Sequence, residues 1–207
     1  DLLRFYGRHA MERNLERAPI AHGMTSIGSR RGASSHQYNP FMIVADRNAG
    51  EEDGRCYGLS FVDSGNFKGE AEKDQYGQTR VIMGLQDELF SYRLKPGEAF
   101  YGPEVILSYS GEGIGKLSRN FHKVIRHNLC RGKFKEMPRP VLVNNWEATY
   151  LDFTGEKICE IGRQAAELGI EMLVLDDGWF GKRDSDSVSL GDWVVNEKKL
   201  GGPLSSI

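Results

Sequence analysis

The chain has 207 residues, of which 27 are Lys or Arg and 29 are Asp or Glu, for a net charge of −2. With 39% hydrophobic and 27% charged residues it has the apolar surface to build a core, which excludes a disordered chain, and its length allows one to two domains. The longest uncharged apolar runs, Phe41–Ala45 and Met172–Leu175, fall far short of the roughly 18 residues of a membrane span. No membrane partner is therefore expected. The near-neutral charge carries no Lys/Arg stripe, and the pair Arg30-Arg31 reads as a solvated turn, so no nucleic-acid partner is expected. Cys56, Cys130 and Cys159 form no CxxC pair, which speaks against a zinc ribbon or a redox dithiol and favours a reducing, cytoplasmic compartment. The five His are scattered with no HxxxH spacing, so neither a metal nor another cofactor is expected. Residue 1 is Asp, no signal-peptide pattern follows it, and the chain closes on a loop-like Gly-Gly-Pro-Leu-Ser-Ser. Together these lead us to expect an internal piece of a longer chain.

In chain order, residues 1 to about 110 read as antiparallel β structure. Short β-rich runs recur at Leu2–Tyr6, Asn39–Ala45, Cys56–Val62, Thr79–Leu85, Leu89–Leu94 and Glu104–Tyr109. Turn signals such as Asp63-Ser-Gly-Asn66 and Lys95-Pro-Gly-Glu98 separate them. That spacing predicts a sandwich. Arg13–Ile20 has poor helical periodicity and reads as an extended edge segment. The pattern then changes. Ile114, Leu117, Phe121, Val124, Ile125 and Leu129 fall at helical spacing, Gly132 supplies a stop, and Met137-Pro-Arg-Pro140 forms a rigid linker.

The last section is a strand–helix–strand unit. Val141-Leu-Val143 suits a buried strand. Thr154 suits the N-cap of a helix carrying Ile158, Ile161, Ala165 and Leu168 on one stripe, with Gly169 past its end. Ile170–Leu175 is a second buried strand, and such a crossover makes the two strands parallel. Apolar runs without alternation mean that both faces of each strand are covered, as in a barrel or a doubly wound sheet.

In those folds the functional groups sit at the carboxyl ends of the strands. The first strand runs out into Asn144-Asn-Trp146-Glu147 and the second into Asp176-Asp177-Gly178-Trp179. Carboxylates, amides and indoles at one rim suit sugar binding. A carboxylate accepts two hydroxyls with charge-assisted bonds, roughly twice as strong as neutral ones, and an indole packs on the C–H face of a pyranose. Simpler roles compete. Trp146 could pack the rim. Asp176 or Asp177 could cap a helix or bind Mg²⁺. Glu147, Trp179 and Trp193 read more readily as structural. A proton-sharing Asp176–Asp177 acid pair also stays open at this point.

The runs Pro140-Val-Leu-Val-Asn-Asn-Trp-Glu-Ala-Thr-Tyr150, Leu173-Val-Leu-Asp-Asp-Gly-Trp-Phe-Gly-Lys-Arg-Asp184 and Ser189-Leu-Gly-Asp-Trp193 resemble the bacterial α-galactosidases of glycoside hydrolase family 36. Upstream, Arg31-Gly-Ala-Ser-Ser-His-Gln-Tyr-Asn-Pro-Phe41, Ser64-Gly-Asn-Phe67 and Pro103-Glu104 resemble that family's β-sandwich. The resemblance implies a multidomain β plus α/β fold. Its parts are a partial β-supersandwich over 1–111, a linker helix over 112–138, and the first two strands of a (β/α)8 TIM barrel over 139–207. It implies a retaining exo-α-galactosidase acting on melibiose-, raffinose- or stachyose-like sugars. In the family both catalytic groups are Asp, and the nucleophile lies in a Lys-x-Asp motif on a later barrel strand. Both are expected beyond Ile207, leaving no catalytic residue in this chain. The residues matching Asp176 and Asp177 hold the galactose 4- and 6-hydroxyls, and the residue matching Trp146 lines the same pocket. The parent is then expected to be a homo-oligomer, in the family often a tetramer, and the piece alone inactive. The alternatives are a galactosyl transferase, an α-N-acetylgalactosaminidase relative, or a non-catalytic sugar-binding β module.

Overall fold

The computed structural model describes residues 1–88 and 90–207. It divides into two compact units, Asp1–Cys130 and Arg131–Ile207.

Among the described residues the first unit contains eight strands: β1 (Leu2–Arg8), β2 (Met11–Ala18), β3 (Gly23–Ser29), β4 (Tyr38–Ala45), β5 (Cys56–Phe61), β6 (Phe67–Lys73), β7 (Thr79–Leu85) and β8 (Val105–Ser110). They form one five-stranded sheet, ordered β2-β1-β4-β5-β8, and one three-stranded sheet, ordered β3-β6-β7. Every neighbouring pair in the two sheets is antiparallel. Alternation along the strands builds two cores. Leu2, Met42, Leu59 and Phe61 of the large sheet meet Ile27, Phe67 and Ala71 of the small one. Leu3, Ile43 and Cys56 turn the other way, beneath Leu117 and Phe121 of α1 (Gly113–Val124). The run Phe41–Ala45 has no polar side because both of its faces are covered. Gly58 sits under Phe121, where a Cβ would lie 2.5 Å from the ring, so the helix can pack this close only over a glycine.

Arg13–Ile20 was expected to be an extended edge segment, and Met11–Ala18 is indeed the outer strand of the large sheet. Two strands, β3 and β6, carry weak sequence signals. In β6, Gly69 and Ala71 are small residues on the buried side, and Glu70 is buried as well, paired to Lys68 Nζ at 2.8 Å. The apolar–polar alternation is thereby erased. The expected strand Leu89–Leu94 is not formed over 90–94, and Leu89 lies outside the described residues. Phe90 and Tyr92 instead pack on Phe100, at 5.5 and 4.7 Å between ring centroids, across the Lys95–Glu98 turn. Pro96 and Pro103 lack the N–H groups a ladder needs, which favours this local clustering. The expected helix over 114–129 stops being α at Val124. Residues 125–129 make a single π turn, and Ile125 and Leu129 are exposed because the wider turn carries them off the packed stripe.

The second unit contains β9 (Leu142–Asn144), α2 (Trp146–Thr149), α3 (Gly155–Glu167), β10 (Met172–Val174) and α4 (Glu197–Leu200). β9 and β10 pair in parallel, Leu142 with Met172 and Asn144 with Val174. Thr154 caps α3 by accepting the Lys157 N–H at 3.3 Å. At the other end the Ile170 N–H reaches Ala165 O and the Gly169 N–H reaches Ala166 O, both at 3.0 Å, with Gly169 at φ +80°. This is a Schellman stop. Ile158 packs with Phe153, Leu173 and Leu200. Leu168, expected on the buried stripe, is 81% exposed, because as C-cap residue it has left the helical path. Thr154→Ala is expected to cost about 1 kcal/mol, with Thr154→Ser restoring most of it. The midpoint of urea unfolding measures this, and an unchanged midpoint for the Ala variant would count against the cap.

Candidate functional site

The carboxyl ends of β9 and β10 are joined by side-chain hydrogen bonds before any ligand is considered. Asn145 is fully buried. Its Oδ1 accepts the Asp176 N–H at 2.7 Å, and its Nδ2 donates to Thr149 Oγ1 at 2.9 Å. Asn144 reaches across from the neighbouring position. Its Nδ2 donates to Asp176 Oδ2 at 2.6 Å, while its Oδ1 accepts the Trp146 N–H at 2.8 Å. One amide thus holds the Asp176 carboxylate, the start of α2 and so the base of the Trp146 side chain. Trp146 is half-buried and stands edge-on to Tyr150 at 5.3 Å. Glu147 is exposed and accepts the Tyr150 hydroxyl at 3.2 Å, a role within the rim.

The two aspartates differ in what they have left to offer. Asp176 Oδ1 accepts the Asp177 N–H at 2.7 Å, and Oδ2 accepts Asn144. With about four acceptor directions on a carboxylate, each oxygen keeps one. Asp177 is more heavily engaged. Its Oδ1 accepts the Gly178 N–H at 2.7 Å, and Arg183 reaches both oxygens, with Nε at 3.0 Å from each and Nη2 at 2.8 Å from Oδ2. The Arg183 hydrogen bonds hold the Asp177 carboxyl below the usual carboxylate range, and the Gly178 N–H and the Arg183 and Lys199 charges add to this against a burial cost. The stability this contributes is fully present above the unfolded value near pH 4 and is lost as pH falls through the lower folded value. The oxygens of the two carboxylates accept from Asn144, from the Asp177 and Gly178 N–H groups and from Arg183 rather than facing one another, so an Asp176–Asp177 pair sharing one proton does not fit this geometry. Neither aspartate caps a helix; the cap of α4 is Asn196. Among the described residues no His/Cys/Asp/Glu cluster has the arrangement of a metal site.

The turn after Asp177 depends on Gly178 at φ +94°, where a Cβ would press on Leu151 at 3.0 Å. Beyond it the chain doubles back. Phe180 bridges Val195, and Trp179 O accepts the Asn196 N–H at 2.9 Å. Phe180 packs on Trp179 at 5.1 Å and on Trp193 at 4.6 Å, so both indoles anchor this loop. The loop also contains Lys182-Arg-Asp184, a triplet with Lys-x-Asp spacing. It lies off any strand end, and the Asp184 side chain is 75% exposed, 3.8 Å from Lys199 Nζ. It lacks the strand-end placement that a barrel nucleophile would have. Two participants were not legible in advance. In the sequence Asn145 reads only as one of a pair of amides, and Arg183 carries no signal of its own because its partner lies six residues away across a turn.

Residues 99–207 match the melibiase family, and residues 1–95 match the glycosyl hydrolase family 36 N-terminal domain. The chain belongs to glycosyl hydrolase family 36. It is 60% identical over 207 residues to the bifunctional α-galactosidase/sucrose kinase AgaSK of Mediterraneibacter gnavus, covering all of this chain and 22% of that protein. It is 51% identical over 207 residues to the α-galactosidase AgaA of Geobacillus stearothermophilus, covering all of this chain and 28% of that one. The solved galactosidase domain of AgaSK superposes with a TM-score of 0.94 over 99% of this chain and 28% of its own. A variant of AgaA in complex with raffinose, 51% identical, gives the same TM-score over the same shares. The family 36 chain described here thus spans about a quarter of the length of these relatives. Its fold class is a family 36 β-sandwich followed by the start of a TIM barrel. In a TIM barrel the carboxyl ends of the strands carry the active site.

Proposed function

We propose that the whole protein is a retaining exo-α-galactosidase. On this reading Trp146, Asp176 and Asp177 bind the terminal galactose, and both catalytic aspartates lie outside these 207 residues. The observation that carries it is the carboxylate pair at the end of β10, held by Asn144, Asn145 and Arg183, with Trp146 fixed to the same amide. Galactose differs from glucose by its axial 4-hydroxyl. A half-buried carboxylate that the bound sugar closes off from water is left unpaired when this hydroxyl is missing, and other hydroxyl-reading sites reject such analogues by on the order of 10⁴-fold. Asp176, with one open acceptor direction on each oxygen, suits a pair of neighbouring hydroxyls. Asp177 offers a single charged, preset direction. An indole beside them suits the apolar face of the ring. In a retaining enzyme a nucleophile and an acid/base roughly 5–5.5 Å apart then act in two steps. The ligands are α-galactosides such as melibiose and raffinose. The same reading makes the protein a homo-oligomer of the cytoplasm, a compartment supported by three free cysteines.

The test is hydrolysis of p-nitrophenyl α-galactoside and raffinose by the whole protein, with the product followed by proton NMR. The expected first product is the α-anomer of galactose. The β-anomer first would rule out retention, and a preference for α-N-acetylgalactosaminides, or transfer in place of hydrolysis, would move the protein to a related activity. The 207-residue chain by itself is expected to give no turnover, because both carboxylates at its strand ends are given to recognition.

A further inference from the structure

We infer that Arg183 is a positioning residue for galactose recognition, fixing the Asp177 carboxylate in one orientation and tying that orientation to the 185–188 turn of the loop that follows β10. The inference rests on the galactoside reading above and adds to it a residue that does not itself touch the sugar.

The Arg183 side chain is 6% exposed, and almost all of its donors are used. Nε and Nη2 serve the two Asp177 oxygens. Nη1 donates to Ser185 O at 2.8 Å and to Val188 O at 2.9 Å. A guanidinium has five N–H groups, so at most one remains, and a sugar hydroxyl gains little from it. What the guanidinium does is join two things that must agree in space. One side of the fork sets the Asp177 carboxylate plane. The other gathers two carbonyls of the 185–188 turn. If the turn opens, Nη1 loses both acceptors, and the fork loses the support that aims it. Four more charged groups surround this pair. Asp176 is adjacent in sequence. Asp186 stands 3.9 Å from Arg183 Nη2 and is exposed. Lys199 donates to Leu151 O at 2.7 Å and stands 3.8 Å from Asp184. None of these presents a planar fork to Asp177, so none can replace Arg183 as an aligning group.

The test uses the whole protein with four variants: Arg183→Met, Arg183→Lys, Asp177→Asn and the Arg183→Met/Asp177→Asn double. Arg183→Met is expected to lower kcat/KM for p-nitrophenyl α-galactoside about 100-fold, mostly through KM, and to raise the inhibition constant of galactose by a similar factor. Arg183→Lys is expected to recover less than tenfold, since one ammonium cannot serve two oxygens and two carbonyls. In the Asp177→Asn background, Arg183→Met should cost less than a further threefold, because its effect passes through Asp177. A purely structural arginine would lower activity by the same factor in both backgrounds, and that result overturns the inference. So does a folded Arg183→Met protein within threefold of wild type. If Arg183→Met fails to fold, the same cycle run with Arg183→Lys decides. Wild-type protein that neither hydrolyses the galactoside nor binds galactose overturns the functional reading and this inference with it. An active wild type with unaffected variants overturns the inference alone.

Discussion

Asp176→Ala in the whole protein is expected to lower kcat/KM for p-nitrophenyl α-galactoside by on the order of 10³-fold while leaving the circular dichroism spectrum unchanged. The reason lies in the hydrogen-bond count. Each Asp176 oxygen already receives one protein donor, the Asp177 N–H on one side and Asn144 Nδ2 on the other. The remaining direction on each oxygen is aimed without further reorganisation, the condition under which charge-assisted bonds to a ligand are worth most. Asp176→Asn should be nearly as damaging as Ala. Whichever way the amide is turned, its NH₂ meets a protein N–H where the carboxylate had accepted one, and one of the two sugar-facing acceptors becomes a donor. Steady-state kinetics of the two variants check this. An Asn variant within threefold of wild type would show that Asp176 faces no sugar hydroxyl.

Asn145→Ala is expected to have the second largest effect, and it should appear in local stability before it appears in catalysis. The side chain is fully buried and closes two bonds, to the Asp176 N–H and to Thr149 Oγ1. Truncation leaves the part-buried Asp176 N–H without its acceptor and takes one donor from Thr149 Oγ1, which keeps the Asn145 and Tyr150 carbonyls as acceptors; with the cavity left behind, the cost is about 3 kcal/mol in all, most of it at the N–H. That corresponds to roughly 150-fold faster opening of the β9 and β10 ends, which hydrogen exchange over peptides spanning 141–150 and 172–180 would resolve. Activity should fall as a consequence, because the Asp176 backbone loses its anchor. Unaltered exchange in these two peptides would mean that Asn145 does not hold the corner together.

The parts of the structure that could be read from residues alone are those in which one local signal serves one element. Thr154 and Gly169 bound α3 because a hydroxyl acceptor and a left-handed glycine each do a job few residues can do. Val141-Leu-Val143 and the Met172–Leu175 part of Ile170–Leu175 mark two parallel strands because nothing polar interrupts them, but the expected burial of both faces is not met: Val141, Leu142 and Met172 are exposed. β6 escaped because Gly69, Glu70 and Ala71 are buried for different reasons, two by smallness and one by its ion pair with Lys68. Phe90, Tyr92 and Leu94 alternate like a strand, yet two of them gather on Phe100. At the site, the residue types at the strand ends were legible, and the division of labour was not. Asp176 and Asp177 are neighbours of the same type, and only the partners they acquire on folding separate a carboxylate with two open directions from one clamped by Arg183.

The bond from the Asp176 N–H to Asn145 also acts as a check on assembly. A slip of one residue between β9 and β10 would turn every side chain of one strand to the opposite face and would carry this N–H about 3.3 Å along the strand, out of reach of the amide oxygen. The native pairing is the one register in which the corner closes. A mispaired chain would retain its helices and much of its apolar contact, yet present no ordered carboxylate to a sugar. On the galactoside reading, the amount of galactose bound per mole of protein would then count correctly threaded molecules, including in preparations whose spectra look native.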